Sequence, residues 1–529
     1  MQETPFHIPE LARLIGDHLS RTEMVNCLRV SKLLHNAFIA RVWKDVDVEQ
    51  PRGRCPTIAS LQRHKHLIQS LHCYGASLDK YLTLRGCNNL SAFSFGGKNR
   101  AIRALPVHLS GFISAHSTTL QEISIYPTFP RTPSDEFWLA LSQCSNLRTL
   151  ELYNLNIPHW CSSYLRRICN ICQSLLFHDV VIPDSLLTMQ QGEDEDIDGT
   201  QLLFLGPRHI DLWVASSPNY VTLSPRSQAL MIRACPNLES LRWGVATSVS
   251  RRNMSTRVRP STNIFLRTLA ANPWTLPKLE ALDLTSVHFH DNDFAQLLRQ
   301  MRKLKSLKVS HTRFGRLSLL EMVKKRARHG TTGDGTGTTY TLCDSVTLLH
   351  LDDFPEVTGA MIQTLLASCP KLEVFLGGKV KVSEIAIGDE WVCKGVLHLC
   401  LYLEADEDYH APPVSREFLN NQRNVFARLG RLTNLQGLQL TREWDDLNPT
   451  QVMQTLDLRL PAGMKSLANL KELEYLCFFH DCGQRTGLRE VRWMVQHWPK
   501  LECVAGMTMI DDQTQARMAA VLDPAGVEF

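Results

Sequence analysis

The pattern that most restricts the possible folds of this chain is a recurring Leu-x-x-Leu-x-Leu register. Its last two apolar positions are separated by one residue, as in a short strand that buries one face. Six clear copies are Leu147-Leu150-Leu152, Leu238-Leu241-Trp243, Leu279-Leu282-Leu284, Leu304-Leu307-Val309, Val346-Leu349-Leu351 and Leu435-Leu438-Leu440. Weaker copies are Leu90-Phe93-Phe95, Leu120-Ile123-Ile125 and Val396-Leu399-Leu401. The chain is therefore expected to be an array of similar units.

The spacing of the copies is typical of leucine-rich repeats, which recur every ~20 to 29 residues. In four cases the middle apolar positions are 24 to 27 residues apart, namely Ile123 to Leu150, Leu282 to Leu307, Leu349 to Phe375 and Phe375 to Leu399. Between copies the apolar spacing is often helical, as in Met361, Ile362, Leu365 and Leu366. Each repeat is therefore predicted to supply one strand and one helix.

Repeats of this kind are stable only as a stack. A buried leucine contributes roughly 1.5 to 3 kcal/mol, but a single repeat leaves its apolar face exposed until a neighbour covers it. We therefore predict an α/β fold, an irregular leucine-rich-repeat solenoid over residues 47–529 with parallel strands on its concave face and helices on its convex face. Some copies are much further apart, which predicts loop insertions near residues 190–200, 247–262 and 329–340.

The first 46 residues follow a different pattern and predict three short helices. Pro9 suits the first turn of a helix, and Ser20 with Glu23 has the spacing of a capping box before a second helix. A third helix is predicted over residues 31–43. About 40 residues lie at the limit of what folds without a metal or disulfides, so surplus apolar surface here predicts a docking partner or packing on the next domain.

These helices carry a family resemblance in their order and spacing. The matching segments are Ile8-Pro9-Glu10-Leu11, Leu14-Ile15, Leu19, Met24-Val25, Leu28-Arg29-Val30-Ser31-Lys32 and Val42-Trp43-Lys44-Asp45-Val46. Residues 1–46 thus resemble an F-box, the domain that docks on the Skp-type adaptor of cullin-RING ubiquitin ligases. The resemblance implies that eight residues lie in or support that interface: Ile8, Pro9, Leu11, Ile15, Leu19, Leu28, Val30 and Trp43.

The repeats also resemble those of F-box proteins. Cys144, Cys235 and Cys369 each stand three residues before a strand leucine, as in the cysteine-containing repeats common in that family, and their recurrence favours packing roles. The resemblance implies a non-catalytic substrate receptor of a Skp–cullin–F-box (SCF) ubiquitin ligase, with an unknown substrate protein bound by the repeats. The alternative is a leucine-rich-repeat interaction scaffold without a link to ubiquitination, whose N-terminal helices cap the array.

The strand register also predicts a recognition surface. Residues between and beside the core leucines would lie on the concave face, where mixed charge suits a folded protein or a degron. These residues are Glu151, Tyr153, Arg242, Asp283, Lys308, His350, Asp352, His398, Tyr402 and Gln439. The alternative is an ordinary solvated strand face, since repeat arrays also bind through loops and ends.

Charge and motifs indicate no cofactor. The 57 Lys and Arg residues against 53 Asp and Glu residues lack the excess expected of a nucleic-acid or membrane-surface binder. Cys169 and Cys172 are the best metal candidates, but the spacing of Tyr164, Leu165 and Ile168 favours a packed helix; a metalloenzyme using this pair is the third alternative. We expect no metal, no nucleic acid, no membrane, and a cytoplasmic or nuclear location or both.

Overall fold

The computed structural model of this chain contains two compact units, Met1–Leu238 and Glu239–Phe529. Both are built from short parallel strands with helical segments between them. The structure describes residues 9–49, 55–75, 78–96, 105–127, 131–182, 204–215, 225–246, 260–270, 276–284, 289–309, 313–327, 339–351, 357–409, 413–441, 454–478, 481, 484, 486–506 and 512–528.

In the described part of the first unit, seven parallel strands follow one another in the sheet in sequence order. Each strand pairs in register with the next, so that Val46 lies opposite Leu71 and Leu71 opposite Phe93. The strands are β1 (Asp45–Glu49), β2 (Ser70–Tyr74), β3 (Ala92–Gly96), β4 (Glu122–Tyr126), β5 (Thr149–Tyr153), β6 (Ser174–His178) and β7 (His209–Ala215).

Helices of the first unit pack against the core side of the strands. The ring centroids of Phe93 on β3 and Phe112 are 4.5 Å apart, which shows this packing directly. The described α-helices are α1 (Pro9–Asp17), α2 (Arg21–Cys27), α3 (Lys32–Lys44), α4 (Ile58–His64), α5 (His108–Ala115), α6 (Asp135–Ser142), α7 (Ser162–Ile171) and α8 (Pro225–Arg233), and 3-10 helices cover Asp79–Thr83 and His159–Cys161.

Helices α1, α2 and α3 form a small module in which α1 and α2 both contact α3. The predicted capping box is present, since Glu23 N–H donates to Ser20 Oγ at 3.3 Å and Ser20 N–H donates to Glu23 Oε2 at 2.7 Å. Ser31 caps α3 in the same way through Leu34 N–H. The predicted boundary after residue 46 falls inside β1, because α3 ends at Lys44 and the sheet begins at the next residue.

The described part of the second unit contains nine parallel strands, also in sequence order, and one antiparallel hairpin of β11 and β12. The strands are β8 (Ser240–Ala246), β9 (Ala281–Asp283), β10 (Ser306–Lys308), β11 (Arg326–Ala327), β12 (Thr339–Tyr340), β13 (Leu348–His350), β14 (Val374–Lys381), β15 (His398–Glu404), β16 (Gly437–Gln439), β17 (Tyr475–Cys477) and β18 (Cys503–Ala505). The α-helices are α9 (Pro260–Ala270), α10 (Asp291–Gln300), α11 (Arg316–Val323), α12 (Gly359–Leu366), α13 (Val382–Ile387), α14 (Arg416–Leu429), α15 (Leu488–His497) and α16 (Asp512–Leu522), with 3-10 helices at Leu276–Lys278, Leu460–Ala462, Met464–Asn469 and Asp523–Ala525.

The leucine register corresponds to the observed strands. Its core positions are buried, among them Leu150, Leu152, Leu282, Leu307 and Leu349. The chain therefore has the α/β leucine-rich-repeat fold that the register predicted. Each buried pair faces the helices of its own unit, while the residue between the pair lies on the opposite face of the sheet.

Six strands of the parallel sheet were not identified from the sequence, namely β1, β2, β6, β7, β17 and β18. In β1 the buried positions are Val46 and Val48, and in β2 the second buried position is Cys73. In β18 the three residues offer only one buried position, Val504. Any apolar side chain of suitable volume can fill these positions. A search for leucine at fixed spacing therefore misses strands whose core positions carry valine or cysteine.

Asparagines just before strand leucines connect neighbouring repeats. The side-chain amide of Asn89 donates to the His66 carbonyl at 2.6 Å, and that of Asn146 donates to the Thr118 carbonyl at 2.6 Å. Asn237 donates in the same way to a carbonyl of the preceding repeat, at 2.9 Å. These bonds satisfy carbonyls that precede the strand, where the sheet ladder has not yet begun.

The recurring cysteines pack in the core, as the sequence indicated. Cys144, Cys235 and Cys369 are buried, and the thiols of Cys144 and Cys235 donate to carbonyls one helical turn earlier at 3.4 and 3.3 Å. Burial raises the pKa of Cys144 to about 12. Such a thiol stays neutral at physiological pH and behaves as a small apolar side chain.

The three predicted loop insertions lie mostly outside the described residues, since these exclude residues 190–200, 247–259 and 329–338. Residues 260–262, at the end of the second predicted loop, begin α9, where Pro260 occupies the first helical position that proline favours. Residues 339–340, at the end of the third, form β12 and pair with β11.

Carboxylates of one repeat cap the helix of the next in the second unit. Asp291, the first residue of α10, accepts hydrogen bonds from the backbone N–H groups of Gly315 and Ser318 at 3.0 Å and Leu317 at 2.8 Å. These groups form the N-terminus of α11, whose own N-cap residue Gly315 has no side chain to contribute. A carboxylate there satisfies free N–H groups and opposes the positive end of the helix dipole.

We expect Asp291→Ala to loosen α11 selectively. Loss of a helix cap costs about 1 to 2 kcal/mol, which corresponds to roughly 5- to 30-fold faster amide exchange in that helix. Hydrogen–deuterium exchange followed by mass spectrometry measures this directly. Glu280→Ala is the matched control, because its ion pair with Lys305 at 2.8 Å is largely exposed and should contribute little. Equal exchange of α11 in both variants would contradict the capping role.

Candidate functional site

The N-terminal module exposes apolar side chains that its own core does not use. Met24, Phe38 and Val42 are buried within it. In contrast, Leu14 on α1 is 56% exposed, and Val30, between α2 and α3, is 72% exposed. Leu11 on α1 is 38% exposed. Aliphatic side chains that stay exposed on a module this small make the module a candidate for docking.

The residues implied by the F-box resemblance occupy several environments. Ile8 lies outside the described residues, and Pro9 is the first residue of α1. Leu11 and Val30 are exposed, whereas Ile15, Leu19 and Leu28 are partly buried. The ring of Trp43 stacks on His64 of α4, with 4.6 Å between the ring centroids. Trp43 therefore joins the module to the first repeat.

The second candidate surface is the acidic strand face of the first unit, formed by the residues of β1 to β7 that do not point into the core. The seven strands contain six carboxylate residues and no lysine or arginine. Five of them alternate with the buried positions, namely Asp45, Asp47, Glu122, Glu151 and Asp211, and the side chain of Glu49 lies outside the described residues. The sheet register aligns them in rows across the strands, with Asp47 opposite His72 and Ser124 opposite Glu151.

Four aromatic rings form a continuous row on this face, hereafter the aromatic row: Tyr126, Tyr153, His178 and Trp213. Ring centroids are 4.5 Å apart for Tyr126 and Tyr153, 4.3 Å for Tyr153 and His178, and 6.4 Å for His178 and Trp213. The last two pairs are nearly parallel, at 10° and 6°. Four successive strands, β4 to β7, each supply one ring, because in-register pairing places equivalent positions side by side.

Gly96 ends the aromatic row on the β3 side. A Cβ atom at this position would lie 2.3 Å from the carbonyl oxygen of Tyr126, and the backbone φ of +147° is one that side chains rarely allow. Glycine therefore permits the Tyr126 strand to approach closely. A larger residue here would displace the first ring of the row.

Glu151 organises the hydroxyl groups of the row. Its Oε2 accepts hydrogen bonds from Tyr126 at 2.6 Å and Ser124 at 2.9 Å, and its Oε1 accepts one from Tyr153 at 2.7 Å. Three donors converge on one carboxylate from two strands and fix both tyrosine hydroxyls. Bonds of this kind to an ionised acceptor are stronger than those between neutral groups.

The titration of this cluster follows from its surroundings. Burial alone would raise the pKa of Glu151, but the hydroxyls of Tyr126, Tyr153 and Ser124 together with nearby His178 outweigh burial and lower it. Burial, followed by the hydrogen bond to Glu151, raises the pKa of both Tyr126 and Tyr153. At neutral pH the carboxylate is therefore charged and the phenols are protonated.

The residues predicted for the recognition surface are divided between the two units. Glu151 and Tyr153 lie on the acidic strand face of the first. The others that the structure describes lie on strands of the second, and Asp352 lies outside the described residues. In the second unit the charges are mixed, since Arg242 Nε lies 3.3 Å from Asp283 Oδ2 on the adjacent strand.

The remaining predicted positions of the second unit follow its strands. Lys308 on β10 pairs in register with Asp283 and His350. His398 is exposed at the start of β15, and Gln439 on β16 is partly buried. The Nζ of Lys379 lies 5.6 Å from the centroid of the Tyr402 ring, and burial raises the pKa of Tyr402 to about 12. The positions are consistent with a strand face but do not form a cluster comparable with the one around Glu151.

Sequence reasoning missed most of the aromatic row. Tyr126 follows Ile125 in one of the weaker register copies, so the rule that selected Tyr153 would also have selected it. His178 ends β6 and Trp213 lies within β7, and the sequence analysis found no copy of the leucine register in either strand. Their alignment with Tyr153 arises only from the strand pairing.

The metal candidates lie in a helical, apolar environment. Cys169 is on α7, Cys172 is its C-cap residue, and both are buried. Burial raises the pKa of Cys172 to about 12. Within the described ranges no group of three or more His, Cys, Asp or Glu side chains is arranged to hold a metal ion. None of the described helices combines the length and apolar character needed to cross a membrane.

Comparison with known proteins finds similarity at the level of structure. No family model and no curated protein sequence matches this chain. A crystal structure of an internalin (inlF) from Listeria monocytogenes is 15% identical, with a TM-score of 0.35, and the match covers 79% of this chain and 88% of the internalin chain. A crystal structure of a TLR13–ssRNA13 complex is 15% identical, with a TM-score of 0.36, and the match covers 85% of this chain and 59% of that one.

We expect Glu151→Gln to remove an acid-sensitive contribution to the stability of the first unit. Because the pKa of Glu151 is lowered in the folded state, wild type has this contribution above the unfolded value of 4.5 and loses it as the pH falls through the folded pKa. The glutamine cannot titrate, so its melting temperature should fall less steeply between about pH 5 and 3.

Thermal unfolding at a series of pH values measures this difference. Glu122→Gln, an exposed change on the same face, is the control and should follow wild type. Parallel decline of wild type and Glu151→Gln would show that the hydroxyl cluster does not stabilise the charged carboxylate.

Proposed function

We propose that this chain is the substrate receptor of an SCF ubiquitin ligase, in which helices α1 to α3 bind the Skp-type adaptor and the repeats bind a substrate protein. The observation that carries the proposal is the exposure of Leu11, Leu14 and Val30 on a three-helix module joined directly to a repeat array. The F-box resemblance of residues 1–46 supplies the identity of the docking partner.

The exposed leucines are suited to a docking interface by their energetics. Each exposed aliphatic side chain would gain roughly 1.5 to 3 kcal/mol on full burial, before the costs of association. The module's own core, Met24, Phe38 and Val42, is small, and adaptor contact would extend it. Stacking of Trp43 on His64 connects α3 to α4, which supports the proposal that the module and the repeats act together.

In this role the chain acts without catalytic residues of its own. It raises the effective concentration of the substrate near a ubiquitin-charged enzyme that other subunits hold. A repeat array suits this task because its parallel strands present a continuous row of variable side chains on a rigid frame. The receptor would act in the cytoplasm, the nucleus or both.

We expect Leu14→Asp to weaken adaptor binding at least about 30-fold without unfolding the chain. The side chain is more than half exposed, so aspartate costs little in the free protein, whereas burying the charge in an interface costs at least about 2 kcal/mol, or roughly 30-fold in Kd. Isothermal titration of the full chain with the purified Skp-type adaptor measures the loss.

Ile387→Asp is the matched control, because Ile387 is 82% exposed on α13 of the second unit. It should bind the adaptor as wild type does. No binding by wild type, or equal binding by Leu14→Asp, would overturn the proposal and leave the alternative of a leucine-rich-repeat interaction scaffold with a helical cap.

A further inference from the structure

We infer that the acidic strand face of the first unit is the docking surface for an extended, arginine- or lysine-rich segment of a partner protein. The inference deepens the proposed function, on which it rests only in identifying the partner as a substrate. Its evidence is the charge of the face and the geometry of the aromatic row, both independent of the N-terminal module.

The charge of the face is one-sided in a chain that is not acidic as a whole. The 529-residue sequence has a formal charge of +4, yet the strands that build this face contain six carboxylate residues and no lysine or arginine. Asp47 has a cationic neighbour from outside the sheet, Arg21 of α2 at 3.8 Å, and Glu122 is exposed. A surface with this sign attracts basic segments and repels acidic ones.

Glu151 is a carboxylate on this face that is already charged and held in position before a partner binds. Its three hydroxyl donors hold it in one orientation, and the lowered pKa keeps it charged at neutral pH. A carboxylate that is already oriented loses little conformational entropy when a cation binds. A guanidinium group fits such a carboxylate particularly well, because it can also stack against neighbouring aromatic rings.

The aromatic row adds contact area at low entropic cost. Tyr126, Tyr153, His178 and Trp213 pack on one another, so their rings are ordered before a partner arrives. Tyrosine and tryptophan are the residue types that most often dominate the binding energy of protein interfaces. The row and the acidic positions run side by side across the strands, so one bound segment could contact both.

The dimensions of the face indicate the length of the segment. Neighbouring strands are about 4.8 Å apart, so the six spacings from β1 to β7 extend over roughly 29 Å. An extended chain rises about 3.4 Å per residue, which gives roughly eight or nine residues across the face. Alternate side chains of such a segment would point toward the sheet.

A labelled nine-residue peptide with arginine at alternate positions and serine between them tests this inference. Its counterpart has glutamate in place of arginine. Fluorescence anisotropy with the full chain should give at least tenfold tighter binding of the arginine peptide, and the preference should weaken as NaCl is raised. Equal affinity for the two peptides would overturn the inference.

Charge-removing variants test whether the arginine peptide binds at the acidic strand face or elsewhere on the protein surface. Glu151→Gln and Glu122→Gln together should weaken binding of the arginine peptide about tenfold. Glu472→Gln, which removes a carboxylate that is 41% exposed in the second unit, should change it less than twofold. Similar losses in both proteins would show that binding depends on overall charge and would overturn the inference.

Charge reversal distinguishes loss of the surface from loss of folding. Glu122→Lys should weaken the arginine peptide and strengthen the glutamate peptide about threefold each, a gain that a misfolded chain would not give. Unchanged affinities for both peptides would overturn the placement of the segment on this face.

Adaptor binding, measured on the same proteins, keeps the two proposals apart. If the adaptor binds and the arginine peptide shows no preference, the docking surface is wrong and the ligase role stands. If the peptide preference is present and the adaptor does not bind, the surface stands and serves a scaffold instead.

Discussion

The in-register pairing of parallel strands is the constraint on which the rest of each unit depends. One strand of three to eight residues has too little buried surface to be stable, and its backbone groups are unpaired until the next repeat supplies a strand. Stacking solves both problems together, since Leu150, Leu175 and Ile210 lie side by side in one core. Helices then cover that core, and features such as the Asp291 cap and the asparagine amides satisfy the polar groups that stacking leaves at the edges.

The same pairing creates the candidate recognition surface. When core positions stack in register, the residues between them also stack, on the other face of the sheet. The charge, orientation and contacts of such a side chain therefore depend on its neighbours in other repeats. Glu151 is an ordinary strand residue within its own repeat. Beside Ser124 and Tyr126 of β4 it becomes an oriented, charged acceptor, and the surrounding face becomes acidic because the same register positions in other strands carry carboxylates.

The N-terminal module and the strand face are joined by a short connection. Lys44 ends α3 and Asp45 begins β1, so the helices that would bind an adaptor continue into the sheet that would bind a substrate. Stacking of Trp43 on His64 reinforces this junction. In the proposed receptor role such coupling would limit the positions that a bound substrate can sample and so raise its local concentration near the modifying enzyme.

The sequence by itself determined the fold class, the three N-terminal helices with their Ser20–Glu23 cap, and the strands with strong leucine patterns, because apolar period and capping chemistry are local properties. It also indicated Glu151 and Tyr153, since their place beside core leucines is local as well. Only the tertiary structure decided that Tyr126, His178 and Trp213 continue that site, and that the buried positions of β1 and β18 belong to the same kind of core. The physical reason is that strand pairing in the parallel sheet brings together residues 22 or more positions apart in the sequence. The residues of one strand alone do not determine which residue lies opposite them in the sheet.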